Sequence, residues 1–204
     1  MKLYRRIASD NGPTKLFVGG LHGKEGTYTA PILESLAKEA VYSGTAIIVP
    51  RLAGNSTYIG VLSEEYYRSE EGMSLLQLIR HYKPAFYFEL HAYGEQSYSR
   101  LTDPEREKRI GVPPFVDLGN GILIGSIAPI LRRTFGVDDF CVTLEVPTWR
   151  SEEVRVEILR ILRVALRTEK REDVLGWLRM RYPVQLKTAE LLFLHYYRAQ
   201  LKPF

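Results

Sequence analysis

This chain of 204 residues has only one cysteine, Cys141, and contains no long apolar stretch. A single cysteine cannot form an internal disulfide, so nothing points to an oxidising compartment and we expect a cytoplasmic protein. The longest uncharged stretch, 118–131, includes three glycines and a proline and is shorter than the roughly 18–20 apolar residues of a membrane span. The first residues lack an apolar segment of signal-peptide length. We therefore predict a soluble protein with no membrane partner.

An excess of charge of either sign is also missing. Lys and Arg number 28 against 24 Asp and Glu, a net charge of +4, and residues 150–204 alone hold 12 basic against 7 acidic side chains. A basic tail is one signature of nucleic-acid binding. One face of its first predicted helix, however, carries both signs: Arg160, Arg163, Arg167, Glu153 and Glu157. That pattern is typical of a solvated helix with salt bridges on its surface, so we expect the protein not to bind nucleic acid.

The hydrophobic pattern predicts an α/β fold. Four short apolar runs, rich in branched or aromatic residues, predict buried strands: 14–20, 45–50, 85–91 and 140–146. Helical periodicity occupies 28–42 and 73–82, between the first three strands. Strands that alternate with helices form crossover units, so we expect a mostly parallel central sheet flanked by helices.

The last quarter of the chain predicts helices alone. The segment 151–167, with Ser151 as N-cap, reads as a long helix, and 173–180 and 188–199 as two shorter ones. Because no repeat or linker interrupts the chain, we predict a single domain, 1–204. Within it, 1–150 forms the catalytic sheet and 151–204 a helical C-terminal extension. The least regular segment, 100–121, predicts a loop at the carboxyl edge of the sheet, where it could act as a lid.

Residues that can bind a metal follow two of the predicted strands. His22 and Glu25 come after the first strand, three residues apart, and His91 ends the third. The carboxyl ends of parallel strands share the edge at which open α/β sheets bind ligands. Two histidines and one carboxylate, with a fourth position open, are the ligands of a catalytic zinc ion. The sequence therefore predicts one zinc ion, held by His22, Glu25 and His91.

A further carboxylate lies near the end of the fourth predicted strand. We expect Glu145 to lie beside the metal without binding it. Zinc lowers the pKa of its bound water to about 7, and a nearby carboxylate can take the proton and pass it to a leaving group. Glu145 is thus the predicted general base.

These motifs resemble a known family. The sequence Gly-Leu-His-Gly-Lys-Glu at 20–25 resembles the His-Gly-x-Glu motif of the M14-type zinc carboxypeptidases and of their succinylglutamate desuccinylase and aspartoacylase relatives. Glu-Leu-His at 89–91 and Thr-Leu-Glu at 143–145 are similar to two further motifs of that branch. An archaeal group of unknown function, DUF2119, shares these motifs and the short length. The resemblance, over about 16–147, implies a zinc-carboxypeptidase-like mixed sheet, the same three zinc ligands and Glu145 as base.

The same resemblance assigns roles to two more residues. Glu89 stands where the family has Asp. It lies two residues before His91, on the same face of the predicted strand, and could orient His91 as a ligand without binding the metal itself. Family members carry an Asn-Arg pair that binds the substrate carboxylate and polarises the scissile carbonyl. Arg68 stands at the position of that arginine, so we expect it to act in catalysis and substrate binding. The alternative is that Arg68 is a surface residue that forms an ion pair with Glu64 or Glu65. A second family arginine is missing, and the place of Arg51 just past the second predicted strand makes it the expected replacement on geometric grounds and not by resemblance.

Two functions remain open at this stage. The first is a zinc-dependent hydrolase that cleaves an amide bond of a small carboxylated substrate or a peptide end; an ester bond is equally compatible with the sequence. The second is a non-catalytic metal- or ligand-binding module that keeps the carboxypeptidase-like fold. Retention of Glu145 favours the hydrolase, because a site that only binds metal needs no general base. The sequence does not determine whether the protein forms a homo-oligomer.

Overall fold

A computed structural model describes residues 2–8, 11–54, 58–150 and 152–204. The strands of these residues form one sheet: β1 (Tyr4–Ile7), β2 (Thr14–Gly19), β3 (Thr45–Val49), β4 (Phe86–Tyr93), β5 (Val116–Asp117), β6 (Leu123–Gly125) and β7 (Phe140–Pro147). Their order is β1-β3-β2-β4-β7-β6-β5. The four central strands β3, β2, β4 and β7 are parallel, and the edge strands pair antiparallel. The predicted α/β fold with a mixed sheet is confirmed.

Helices cover both faces of the sheet. The described residues form α1 (Gly26–Leu36), α2 (Glu64–Arg68), α3 (Glu70–Tyr82), α4 (Tyr98–Leu101), α5 (Arg106–Ile110), α6 (Pro129–Arg132), α7 (Glu152–Arg167), α8 (Arg171–Arg181) and α9 (Pro183–Tyr196). Apolar side chains of α1, α7, α8 and α9 pack with one face of the sheet, and those of α2, α3 and α6 with the other. Burial of these two apolar layers supplies the main driving force for folding.

The structure differs from the sequence prediction at several boundaries. Helix α1 ends at Leu36 and not at 42, because the chain turns back through Gly44 (φ +65°) to begin β3. Strands β1, β5 and β6 were not predicted, since they are short and carry little periodicity. The segment 100–121, predicted as a loop, contains α5 and β5. The predicted N-cap Ser151 lies outside the described residues.

Strand order places a crevice at the centre of the sheet. Strand β2 lies between β3 and β4, while the connecting helices α1 and α3 lie on opposite faces. In open α/β sheets, ligands bind beyond the carboxyl ends of the strands at such a point. The loop after β2 and the last residues of β4 and β7 meet there.

Two further sequence expectations concern helices. The three arginines of α7 expected to be solvated are paired with acids: Arg160 with Glu157, and both Arg163 and Arg167 with Glu39, which follows α1. Of the helices in the described ranges, none combines the length and the apolar character that a membrane span requires.

Candidate metal centre

A tight turn after β2 positions the first two predicted ligands. Gly20 adopts φ +56°, and a Cβ at this position would lie 2.7 Å from the Cα of Gly26, so only glycine fits without strain. The Tyr66 hydroxyl donates a hydrogen bond to the Leu21 carbonyl (3.0 Å) and ties the turn to α2. His22 and the residue that precedes α1, Glu25, are therefore held above the sheet edge.

The three predicted ligands converge on one point. His22 Nδ1 lies 3.5 Å from Glu25 Oε1, and His91 Nδ1 lies 3.2 Å from Glu25 Oε2. One ligand atom from each of the three residues lies within 4.8 Å of the others. Tetrahedral zinc with bonds of 2.0–2.2 Å separates its ligands by about 3.4 Å. Both measured separations are close to that value, so the donor set fits a zinc ion.

The Nδ1 atom of His22 is a buried nitrogen without a hydrogen-bond partner among the described residues. Burial, and then the neighbouring His91, lower the pKa of His22 to about 4. The ring is thus neutral near pH 7, and its nitrogen lone pair is free to bind a metal. The Tyr58 ring covers it edge-on, with centroids 4.4 Å apart.

His91 lies between two carboxylates on β4. Its Nδ1 faces Glu25, and its Nε2 lies 3.5 Å from Glu89 Oε1. Glu89 is buried and accepts hydrogen bonds from the Tyr87 hydroxyl (3.0 Å) and the Thr143 hydroxyl (2.7 Å). Although burial lowers the pKa of His91, Glu25 and Glu89 together raise it well above its usual value. A carboxylate on the far side of a histidine fixes the ring for metal binding.

Glu145 lies beside His91, because the two residues are register partners on the parallel strands β4 and β7. It lines the same cavity but is not part of the three-residue ligand cluster. Burial first, and then Glu25 and Glu89, raise the pKa of Glu145 to about 7, against the lowering effects of His91 and Arg106. A group with this pKa can accept and return a proton near neutral pH.

The raised pKa of Glu145 predicts how the metal-free protein responds to pH. The buried carboxyl prefers its proton, so this contribution to stability is complete below about pH 4.5 and is lost as pH rises through 7. Glu145→Gln removes the titration and should gain up to roughly 3 kcal/mol over wild type at pH 8, and little at pH 4. Urea unfolding at both pH values, in the presence of a chelator, measures the difference.

The exposed Glu65→Gln provides the matched control for this experiment. It should change the free energy of unfolding equally at both pH values. If the gain from Glu145→Gln is also the same at pH 4 and pH 8, the buried carboxyl does not titrate as described.

The metal cluster and Glu145 open into a cavity of about 360 Å³. Part of its lining comes from 100–121, the segment predicted as a loop that could act as a lid, and includes Arg100, Arg106, Pro113 and Phe115. Arg106, on α5, is only 8% exposed. Its position in an irregular segment gave no sequence signal that it would be buried.

The structure does not bring the two arginines expected to bind substrate into this cavity. Helix α2 buries Tyr66 and Tyr67, and its opposite side carries Arg68 into solvent, where it pairs with Glu64 (2.9 Å). Arg51 is exposed and packs along the backbone at Gly26, outside the cavity lining. The expected roles of Arg68 and Arg51 therefore have no support in this geometry.

Comparison with known proteins identifies relatives of the chain. The sequence model of a family described as uncharacterized proteins conserved in archaea, DUF2119, matches residues 10–198. An uncharacterized protein of Methanocaldococcus jannaschii is 47% identical over 183 residues, which cover 88% of this chain and 89% of that protein. No solved structure matches the chain. The zinc-carboxypeptidase-like fold consequently stays a prediction.

Proposed function

Since the chain belongs to the archaeal DUF2119 family, we propose a function from the chemistry of the site itself: zinc-dependent hydrolysis of an amide bond in a small carboxylated compound or a peptide end. One observation carries the proposal. The Glu25 carboxylate lies 3.5 Å from His22 Nδ1 and 3.2 Å from His91 Nδ1, one ligand atom of each residue lies within 4.8 Å of the others, and Glu145 lies on the next strand. The cluster has the composition of a catalytic zinc site that keeps a fourth position open.

His22, Glu25 and His91 would hold the ion. When bound, zinc supplies a Lewis acid that polarises the carbonyl and makes water acidic enough to attack near neutral pH. The unpaired Nδ1 of His22 suits a nitrogen that binds zinc. Glu89, on the far side of the His91 ring, suits the partner that orients His91 as a ligand.

Glu145 would transfer the proton in this reaction. As a carboxylate it accepts a proton from the attacking water while the oxygen forms a bond to the carbonyl carbon. As a carboxylic acid it returns that proton to the nitrogen as the C–N bond breaks, so the products are a carboxylate and an amine. A pKa near 7 permits both states at neutral pH.

The likeness of the motifs to those of M14-type enzymes is an analogy that agrees with this reaction class.

A non-catalytic metal-binding module is the second candidate. The exposed, ion-paired position of Arg68 favours it, because a residue expected to bind substrate lies outside the cavity.

Metal analysis and an activity screen of the protein purified without chelators test the proposal. We expect one zinc per chain and cleavage of at least one member of a panel of N-acyl amino acids, short peptides and matched esters. A chelator should abolish the activity, and added zinc should restore it. Absence of both zinc and turnover contradicts the proposal, whereas zinc without turnover supports the binding module.

A further inference from the structure

The cavity contains a buried cation that lacks a carboxylate partner. The Arg106 guanidinium carbon lies 4.9 Å from the centroid of the Phe115 ring, and Nη1 donates a hydrogen bond to the Pro113 carbonyl. Nε has no hydrogen-bond partner among the described residues and is shielded from solvent. None of the ion pairs found in the described ranges includes this side chain.

Such an arrangement is costly. A buried guanidinium that contacts no carboxylate is unfavourable, and a carboxylate brought in by a ligand would reduce that cost. Burial lowers the pKa of Arg106, in line with this cost.

The unused part of the guanidinium is the part that binds carboxylates elsewhere in this chain. Arg163 contacts Glu39 through Nε and Nη2 (3.0 and 2.6 Å), and Arg179 contacts Glu190 through the same two atoms (3.1 and 2.6 Å). In Arg106 the bond to Pro113 occupies Nη1, and Nε, on the other edge, has no hydrogen-bond partner within the described ranges. That edge presents two parallel N–H donors, the geometry that suits a planar carboxylate.

Side chains of both charges line the cavity. Glu25, Glu89 and Glu145 lie with the two histidines at the sheet edge, whereas Arg106 and Arg100 belong to the segment after β4. Arg106 is close enough to Glu145 to lower the pKa of that carboxyl. A volume of about 360 Å³ is at the small end of ligand cavities, so one small molecule could contact both Arg106 and the metal cluster.

We propose that Arg106 binds the carboxylate of the substrate and thereby makes the cavity selective for carboxylated compounds. The proposal rests on the proposed function only for the reacting end of that molecule. Arg106 takes the role that the sequence analysis had given to Arg68. It is a binding residue at the wall formed by α5, and it takes no part in proton transfer.

Binding of two matched probes tests this role. N-acetylglycine carries the carboxylate, and N-acetylglycinamide replaces it with a neutral amide of the same shape. We expect wild type to bind the acid about 10- to 100-fold more tightly than the amide, both with zinc and after treatment with a chelator. Arg106→Gln should abolish that preference while its affinity for N-acetylglycinamide stays within a few fold of wild type. NMR titration measures each of these affinities.

Arg109→Gln is the matched control, because Arg109 lies on the same short helix but is exposed and paired with Asp103. It should keep the wild-type preference. Arg106→Lys retains the charge without the paired donors and should keep part of the preference for the acid. This variant also serves if Arg106→Gln does not fold, as judged by circular dichroism. A merely structural role of Arg106 would weaken both probes equally.

The outcomes separate this proposal from the proposed function. If Arg106→Gln loses the preference for the acid and the wild-type protein hydrolyses no amide, the carboxylate site is supported and the proposed hydrolase is contradicted. Amide hydrolysis with no preference for the acid in wild type overturns the role of Arg106 and leaves the hydrolase intact. Loss of the preference in Arg68→Gln and not in Arg106→Gln also overturns it.

Discussion

His22→Ala is expected to abolish stoichiometric zinc binding. The substitution removes a buried nitrogen that has no other partner among the described residues, and two protein ligands cannot replace three. Loss of a residue that binds the metal directly should lower zinc affinity by more than the 10- to 100-fold typical of residues that only orient a ligand. We therefore expect zinc affinity to fall by at least about 100-fold. Competition with a chromophoric chelator measures this affinity directly.

Thermal unfolding gives a second measure of the same loss. Free zinc at 1,000 times its dissociation constant should stabilise wild type by about 4 kcal/mol and His22→Ala by much less. His81→Ala is the matched control, since His81 is exposed in the last turn of α3 and should retain zinc fully. Equal zinc binding by wild type and His22→Ala would contradict the metal centre.

Glu145→Gln is expected to lower the rate of hydrolysis by about 10²- to 10⁴-fold while zinc stays bound. The amide has nearly the shape of the carboxyl group but cannot accept the proton of the attacking water. Zinc content and catalytic rate, measured on the same preparation, separate loss of proton transfer from loss of metal. A loss of zinc in this variant would show that Glu145 is itself a ligand.

The pH dependence of the wild-type rate checks the same assignment. The rate should rise as the Glu145 carboxyl loses its proton, with a midpoint between about pH 5 and pH 7, because burial raises the pKa of this carboxyl to about 7 and a nearby cation lowers it. Glu65→Gln, at an exposed position, should leave that profile unchanged. A rate that does not vary between pH 5 and pH 8 would rule out Glu145 as the titrating base.

The central sheet and the cluster could be predicted from the sequence because their signals are local. Apolar runs mark β2, β3, β4 and β7, and His22, Glu25, His91 and Glu145 follow or end three of them. The parallel alignment of strand ends then brings these four residues to one edge of the sheet.

The wall of the cavity could not be predicted because its residues are positioned by the folding of an irregular segment that carries no periodic pattern. Arg106 is buried only because the chain folds Pro113 and Phe115 back over it. Arg68 is exposed because α2 buries the two preceding tyrosines. Nothing in the spacing of either arginine distinguishes these two environments.

The pairing of His91 with Glu145 on adjacent strands has a consequence for how this family can diversify. Neighbouring strands lie about 4.8 Å apart whatever loops connect them, so the backbone separation of the proposed ligand and the proposed base is a property of the sheet. Arg106 instead belongs to the connection between β4 and β7, which can change in length or sequence at little cost to that separation. Under the proposed function, new substrates would arise by remodelling one connection while the proposed reacting groups are inherited unchanged.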